Sequence, residues 1–226
     1  MVNKSFLWPF LIFFLYACIL IFPSLGAFNL FDWDEINFAE SSREMLFSNN
    51  FFQVQVNYEP FHEKPPLFFW LQVLSMKFFG VSAFAARLPN ALLSILTPMI
   101  LFKIGTDIKN RSFGLIWGLT FLCGILPNLY FRTGIIDPYF NLFIFISIYF
   151  YHRSLINIKF TDIFFAGFFA GLATITKGPV GILIIIFVAF IYSLLSKKKP
   201  TIKQLIIFGL LLLFTSILWY GYEIYN

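Results

Sequence analysis

Hydrophobic positions in this 226-residue chain come in long, nearly unbroken runs rather than in strand alternation, and short polar clusters separate the runs. A bilayer core of ~30 Å takes about 20 helical residues to cross. On that measure spans are expected near residues 6–27, 83–104, 113–131, 134–151, 161–177, 179–195 and 204–222. Ile163 to Leu195 is almost one apolar run, which as a single helix would be ~50 Å long. It is read instead as a hairpin turning at Lys177-Gly178-Pro179. Leu67 to Phe79 is apolar but short, and it carries Gln72 and Lys77, so an interfacial or re-entrant helix suits it better than a span. Between the first two spans lies one long loop, residues 28–82.

Composition turns the runs into a class. With 59% hydrophobic, 22% aromatic and 12% charged residues, the chain has more apolar surface than a soluble core of its length could hide. The expected fold is an all-α polytopic membrane protein with about seven transmembrane helices and a long first extracytoplasmic loop holding interfacial helices. The net charge of +5 would suggest nucleic acid in a soluble protein, but here it reads as topology and implies no nucleic-acid partner. With the N-terminus cytoplasmic, ten of the sixteen basic residues fall on the inner side, including Lys4, Lys103, Arg153 and Lys197–Lys199, while nine of the eleven acids fall outside. A cleaved signal peptide fits less well, because the first apolar stretch exceeds the usual h-region. Cys18 and Cys123 lie in apolar runs, implying neither a disulfide framework nor a thiolate metal site.

The unusual charges gather on the outer side. Asp34 and Glu35 follow the first span within the tract Phe31-Asp32-Trp33-Asp34-Glu35, and Asp34 can cap a helix running through Met45. Ile36, Phe38, Ala39, Met45 and Leu46 give that helix an uneven apolar side suited to a membrane surface. In His62-Glu63-Lys64-Pro65-Pro66 the prolines hold Lys64 extended, which suits a phosphate contact, although a Glu63–Lys64 surface pair would produce the same string. Asp137 and Lys177 sit at span ends with no soluble loop around them, where an ionisable residue is a functional candidate. Arg132 is near enough in sequence to neutralise Asp137.

In order along the chain stand Asp34-Glu35, Phe38-Ala39-Glu40, Arg43-Glu44-Met45, Glu63-Lys64-Pro65-Pro66-Leu67, Trp70, Phe79-Gly80-Val81, Ala85-Ala86-Arg87-Leu88-Pro89, Asp137 and Thr176-Lys177-Gly178-Pro179. This series resembles the GT-C glycosyltransferases, and more narrowly the ArnT-like branch, which includes the lipid A aminoarabinose transferase and is akin to protein O-mannosyltransferases. The resemblance implies transfer of a sugar from a polyprenyl-phosphate donor to a lipid, glycan or protein acceptor at the extracytoplasmic face of the plasma (inner) membrane. It implies that Asp34 is the catalytic carboxylate and that Lys64 holds the carrier phosphate. Lys177, Asp137 and Glu35 would bind substrate, and Glu63 would mark a divalent-metal site.

The chain departs from that pattern in two respects. Members commonly carry a basic residue three positions after the first Asp, and here that position is Asn37. They also have roughly a dozen spans, so residues 1–226 are expected to be the N-terminal transmembrane portion of such an enzyme. The alternatives are a non-catalytic scaffold partner of a split glycosyltransferase and a transporter. A transporter would show paired, broken helices in two halves, and no internal repeat is visible.

Overall fold

The computed structural model describes residues 4–31, 33–157, 159–196 and 198–225, so Asp32 of the acidic tract and Lys197 of the basic run lie outside the described residues. Each of the seven expected segments is helical, and the chain divides into two compact units, Met1–Phe47 with Phe69–Pro138 and Ser48–Phe68 with Tyr139–Asn226.

In the first unit, helix α1 (Lys4–Tyr16) continues as a π turn over Ala17–Ile21 and a 3₁₀ turn over Phe22–Ser24. The Phe22 N–H reaches back to the Ala17 carbonyl, and Pro23, with no N–H, cannot prolong an α ladder, so the span ends here. Helix α2 (Asp34–Ser48) and helix α3 (Leu67–Phe79) follow, the latter with the residues expected of the short apolar helix. Gly80, at φ +77°, turns the chain into α4 (Ala83–Ile108), whose Ser82 cap accepts the Ala85 N–H at 3.2 Å.

Helix α5 (Arg111–Cys123) starts on an Asn110 cap that accepts the Phe113 N–H at 2.9 Å. Its Gly114 lies against the backbone of α4 at Gly105 and Phe102, and Gly118 lies against the Pro98 carbonyl. This is the small-residue spacing by which membrane helices approach closely. A break at Gly124 leads into α6 (Ile125–Tyr130), where the Asn128 side-chain amide donates to the carbonyls of Leu122 and Gly124.

The second unit contains a small hairpin, β1 (Gln55–Val56) and β2 (Glu59–Pro60), paired antiparallel with Gln55 opposite Pro60. Asn57 and Tyr58 both take positive φ, as the two-residue loop of such a hairpin requires. Helix α7 (Asp137–Asn157), whose first two residues belong to the first unit, is followed by α8 (Phe160–Lys177), α9 (Val180–Ser196) and α10 (Ile202–Tyr225). The hairpin expected at Lys177-Gly178-Pro179 is present, with Gly178 at φ +84° ending α8. Gly167 and Gly171 bring α8 against the Phe208 carbonyl and Thr215 of α10. Phe140, Ile144, Ala170, Ala173 and Ile185 form one core cluster, and Tyr151, Ile163 and Ala166 form another.

Among the described residues, Phe6–Ser24, Ala83–Ile108 and Phe160–Lys177 are both long and apolar enough to cross a membrane, while Leu67–Phe79, Arg111–Cys123, Val180–Ser196 and Ile202–Ile217 are shorter apolar helices. The architecture is that of an all-α, multi-pass membrane protein.

Candidate functional site

Helix α2 was expected to lie on a membrane surface, but its packed side is turned into the protein. Glu35, Phe38, Ala39, Ser42 and Met45 are buried at helical spacing, whereas Ile36 is 45% exposed. Ala39 meets Met76 of α3 and Ala85 and Ala86 of α4, and Phe38 packs edge-on against Phe69. Polar pairs lock the same face. The Ser42 hydroxyl donates to Gln72 at 2.8 Å, and the Gln72 amide donates to the Ala86 carbonyl at 2.9 Å.

A buried ion pair in this unit joins Glu35 to Arg87, both 2% exposed, at 2.8 Å. Glu35 was expected among the substrate-binding groups, yet both of its oxygens are taken up by the protein. Besides Arg87 they accept the Phe31 N–H at 2.7 Å and the Gly134 N–H at 2.6 Å. Asp34, one residue earlier, is exposed, and among the described residues no hydrogen bond or ion pair engages its carboxylate. The capping role expected for it is not formed: α2 begins at Asp34 itself, with the Ile36 and Asn37 N–H groups bonded to the carbonyls of Phe31 and Trp33. Trp33 holds φ +69°, a conformation costly for a bulky side chain, immediately before this carboxylate.

Asp137 opens α7 and is half-buried. The turn before it is fastened to α4, because Asn90 donates to the Thr133 carbonyl at 2.6 Å and to the Ile135 carbonyl at 2.7 Å. Gly134 has no room for a side chain there, since a Cβ would stand 2.9 Å from the Ala86 carbonyl oxygen and 3.0 Å from the Gln72 amide nitrogen. Arg132, expected to neutralise Asp137, donates instead to the Leu20 carbonyl at 2.9 Å, within the π turn that ends the first span.

In the second unit, Lys64 is half-buried behind the buried Pro65 and Pro66, and among the described residues nothing pairs with its ammonium, so the Glu63–Lys64 pair is not made. The loop carrying Lys64 is pinned to the end of α10. His62 bonds Glu223, the Trp219 Nε1–H donates to the Phe52 carbonyl at 3.1 Å, and the Phe52 ring lies 5.6 Å from that of Tyr222. Lys177, the last residue of α8, holds its ammonium 5.5 Å from the centre of the Phe140 ring. Beside its turn lies an apolar cavity of about 640 Å³ lined by residues that include Thr174, Pro179, Leu212, Ser216 and Tyr220.

Glu63 is exposed, and among the described residues no three His, Cys, Asp or Glu side chains gather so as to hold a metal ion. Gly134 and Asn90 were not named from the sequence, and Gln72 and Arg87 were named there without a role at the site. For Arg87 the signal was available, as an arginine inside an apolar run demands a partner.

The family model of dolichyl-phosphate-mannose-protein mannosyltransferases matches residues 63–220. A protein of unknown role from Aquifex aeolicus is 30% identical over 95% of this chain and 43% of its own length. The undecaprenyl phosphate-alpha-4-amino-4-deoxy-L-arabinose arabinosyl transferase 1 of Proteus mirabilis is 27% identical over 89% of this chain and 37% of its own. The crystal structure of ArnT from Cupriavidus metallidurans bound to undecaprenyl phosphate matches with a TM-score of 0.83 at 22% identity, covering 93% of this chain and 40% of that one. The chain therefore spans well under half the length of these relatives.

Proposed function

The chain belongs to the dolichyl-phosphate-mannose-protein mannosyltransferase family within the GT-C glycosyltransferases, and from that premise we propose that it serves transfer of a sugar from a polyprenyl-phosphate donor. The acceptor we favour is a lipid of the lipid A type, as the resemblance to the ArnT-like branch implies, ahead of a glycan or protein, and the name of the Proteus mirabilis relative supports an undecaprenyl-phosphate-linked donor. The reaction takes place on the extracytoplasmic face of the inner membrane, with the N-terminus cytoplasmic, as the loop charges favour.

The supporting observation is that Asp34 and Lys64 keep their charges unpaired among the described residues, while the neighbouring Glu35 is fully neutralised. In the reaction an acceptor oxygen bonds the anomeric carbon as the bond from that carbon to the donor phosphate breaks, and the electron pair leaves with the phosphate. Lys64 stabilises the charge developing there, with Lys177 as a second cation, the kind of electrostatic contribution that often dominates catalysis. Asp34 orients a hydroxyl acceptor and takes its proton. For a phosphate acceptor, which needs no deprotonation, Asp34 only positions. Asp137 contributes a second carboxylate to substrate binding, and the apolar cavity beside the Lys177 turn offers room for part of a prenyl chain.

The test is sugar transfer from a radiolabelled polyprenyl-phosphate donor by membranes holding the chain, compared with Asp34→Asn and Lys64→Ala variants. Loss of transfer in both supports the assignment, and unchanged transfer in either overturns that residue's role. Transfer that appears only when the remaining length of a relative is co-expressed favours the scaffold reading, in which this chain supplies part of a divided enzyme.

A further inference from the structure

We infer that Arg87 is a positioning residue that registers Asp34 and Asp137 together through the Glu35 carboxylate. This rests on the reading that those two carboxylates serve the transfer. A guanidinium has five N–H donors, and all of those of Arg87 are used. Nε and Nη2 grip Glu35 at 2.8 and 2.9 Å, Nη1 donates to the carbonyls of Leu25 and Phe28 at 2.8 and 2.9 Å, and Nη2 also donates to that of Asn29 at 2.9 Å. Glu35 relays this grip in two directions. Its backbone continues directly from Asp34, and its Oε1 accepts the Gly134 N–H at 2.6 Å, three residues before Asp137.

The turn leading to Asp137 is thus held at consecutive residues, Thr133 and Ile135 by Asn90 and Gly134 by Glu35. A shift of the Glu35 carboxylate moves both candidate groups at once, although they lie in segments far apart in sequence. Lysine cannot substitute, because a point charge does not reproduce a fork that meets both carboxylate oxygens. Glutamine at position 35 would aim an amide donor at Arg87 or at the Phe31 N–H, donor against donor.

The test has a kinetic arm and a labelling arm. Glu35→Gln and Arg87→Lys are expected to lower kcat by roughly 10- to 100-fold, the scale of an ångström-sized misplacement, with donor KM within about 2-fold. Independently of turnover, Asp137→Cys is alkylated with a maleimide in a Cys18→Ser, Cys123→Ser background. Its labelling rate should change severalfold on Glu35→Gln or Arg87→Lys, while that of a Lys103→Cys reporter on the same α4 stays constant. An unchanged rate at position 137, or equal changes at both reporters, overturns the registration. Full transfer in Asp34→Asn would remove the functional premise and leave the labelling result to decide the coupling alone.

Discussion

Replacing Gly114 with alanine should loosen the seam between α4 and α5, and replacing Gly209 should not. A Cβ at Gly114 would stand 2.3 Å from the Phe102 carbonyl oxygen and 2.9 Å from the Thr106 nitrogen, both backbone atoms of α4 that no rotamer change can move. To restore even a 3.0 Å approach the helices must part by about 0.7 Å, a gap that forfeits a quarter to a half of each dispersion contact along the seam. Overpacking of this kind costs about 1–3 kcal/mol. The gain in helix propensity from glycine to alanine returns at most ~1 kcal/mol. At Gly209 in α10 nothing lies within 4 Å of the added methyl, so only the propensity gain applies. Gly209→Ala should therefore be the more stable variant by roughly 1–3 kcal/mol, with the wild type between the two. Equilibrium unfolding in mixed micelles, followed by tryptophan fluorescence at several detergent ratios, measures the order. A Gly114→Ala protein as stable as Gly209→Ala would show that the close backbone approach of α4 and α5 does not hold this unit together.

Trp219→Phe keeps most of the buried ring but removes the indole donor to the Phe52 carbonyl, so the loop bearing Lys64 should open more readily, by ~1 kcal/mol. Limited proteolysis between Asn50 and Lys64 should speed up severalfold, and an unchanged cleavage rate would remove α10 as the anchor of that loop. Bonds from Arg43 hold the Glu40 carboxyl below its ordinary value of 4.5. A lowered folded value makes the stabilisation complete above 4.5 and lost as pH falls through the folded value. Because the Glu40 side chain is 48% exposed, solvent screening limits the contribution to less than ~1 kcal/mol. Glu40→Gln should thus cost a few tenths of a kcal/mol near neutrality and progressively less as pH falls below 4.5, read from unfolding midpoints near neutrality and at acid pH. An equal deficit at both would assign the loss to packing.

Run length made the spans legible, because crossing a bilayer requires a stretch of apolar residues that little else in a sequence imitates. The turn at Gly178 was legible for the same reason, since Ile163 to Leu195 is too long to remain one helix in a membrane. The buried side of α2 was harder to see. Counting only apolar residues put Ile36 on the same side as Phe38, Ala39, Met45 and Leu46, yet Ile36 is exposed and the face that packs includes Glu35, Ser41, Ser42 and Glu44. Their acceptability depends on partners that one helix's periodicity cannot contain, Gln72 of α3 for Ser42 and Arg87 of α4 for Glu35.

That geometry also separates two adjacent carboxylates of the acidic tract. Successive residues on a helix point about 100° apart. Glu35 shares the inner face with Phe38, Ala39 and Ser42, whereas Asp34, which helical spacing places on the side of Phe38 and Met45, stands at the first position of the helix and stays exposed. Burial without compensation would be costly for Glu35, and the Arg87 fork and backbone N–H groups supply that compensation. Asp34 is under no such demand. Its charge stays uncommitted because its neighbour accepts the structural pairing, which is why the more exposed member of the pair is the one suited to meet a substrate.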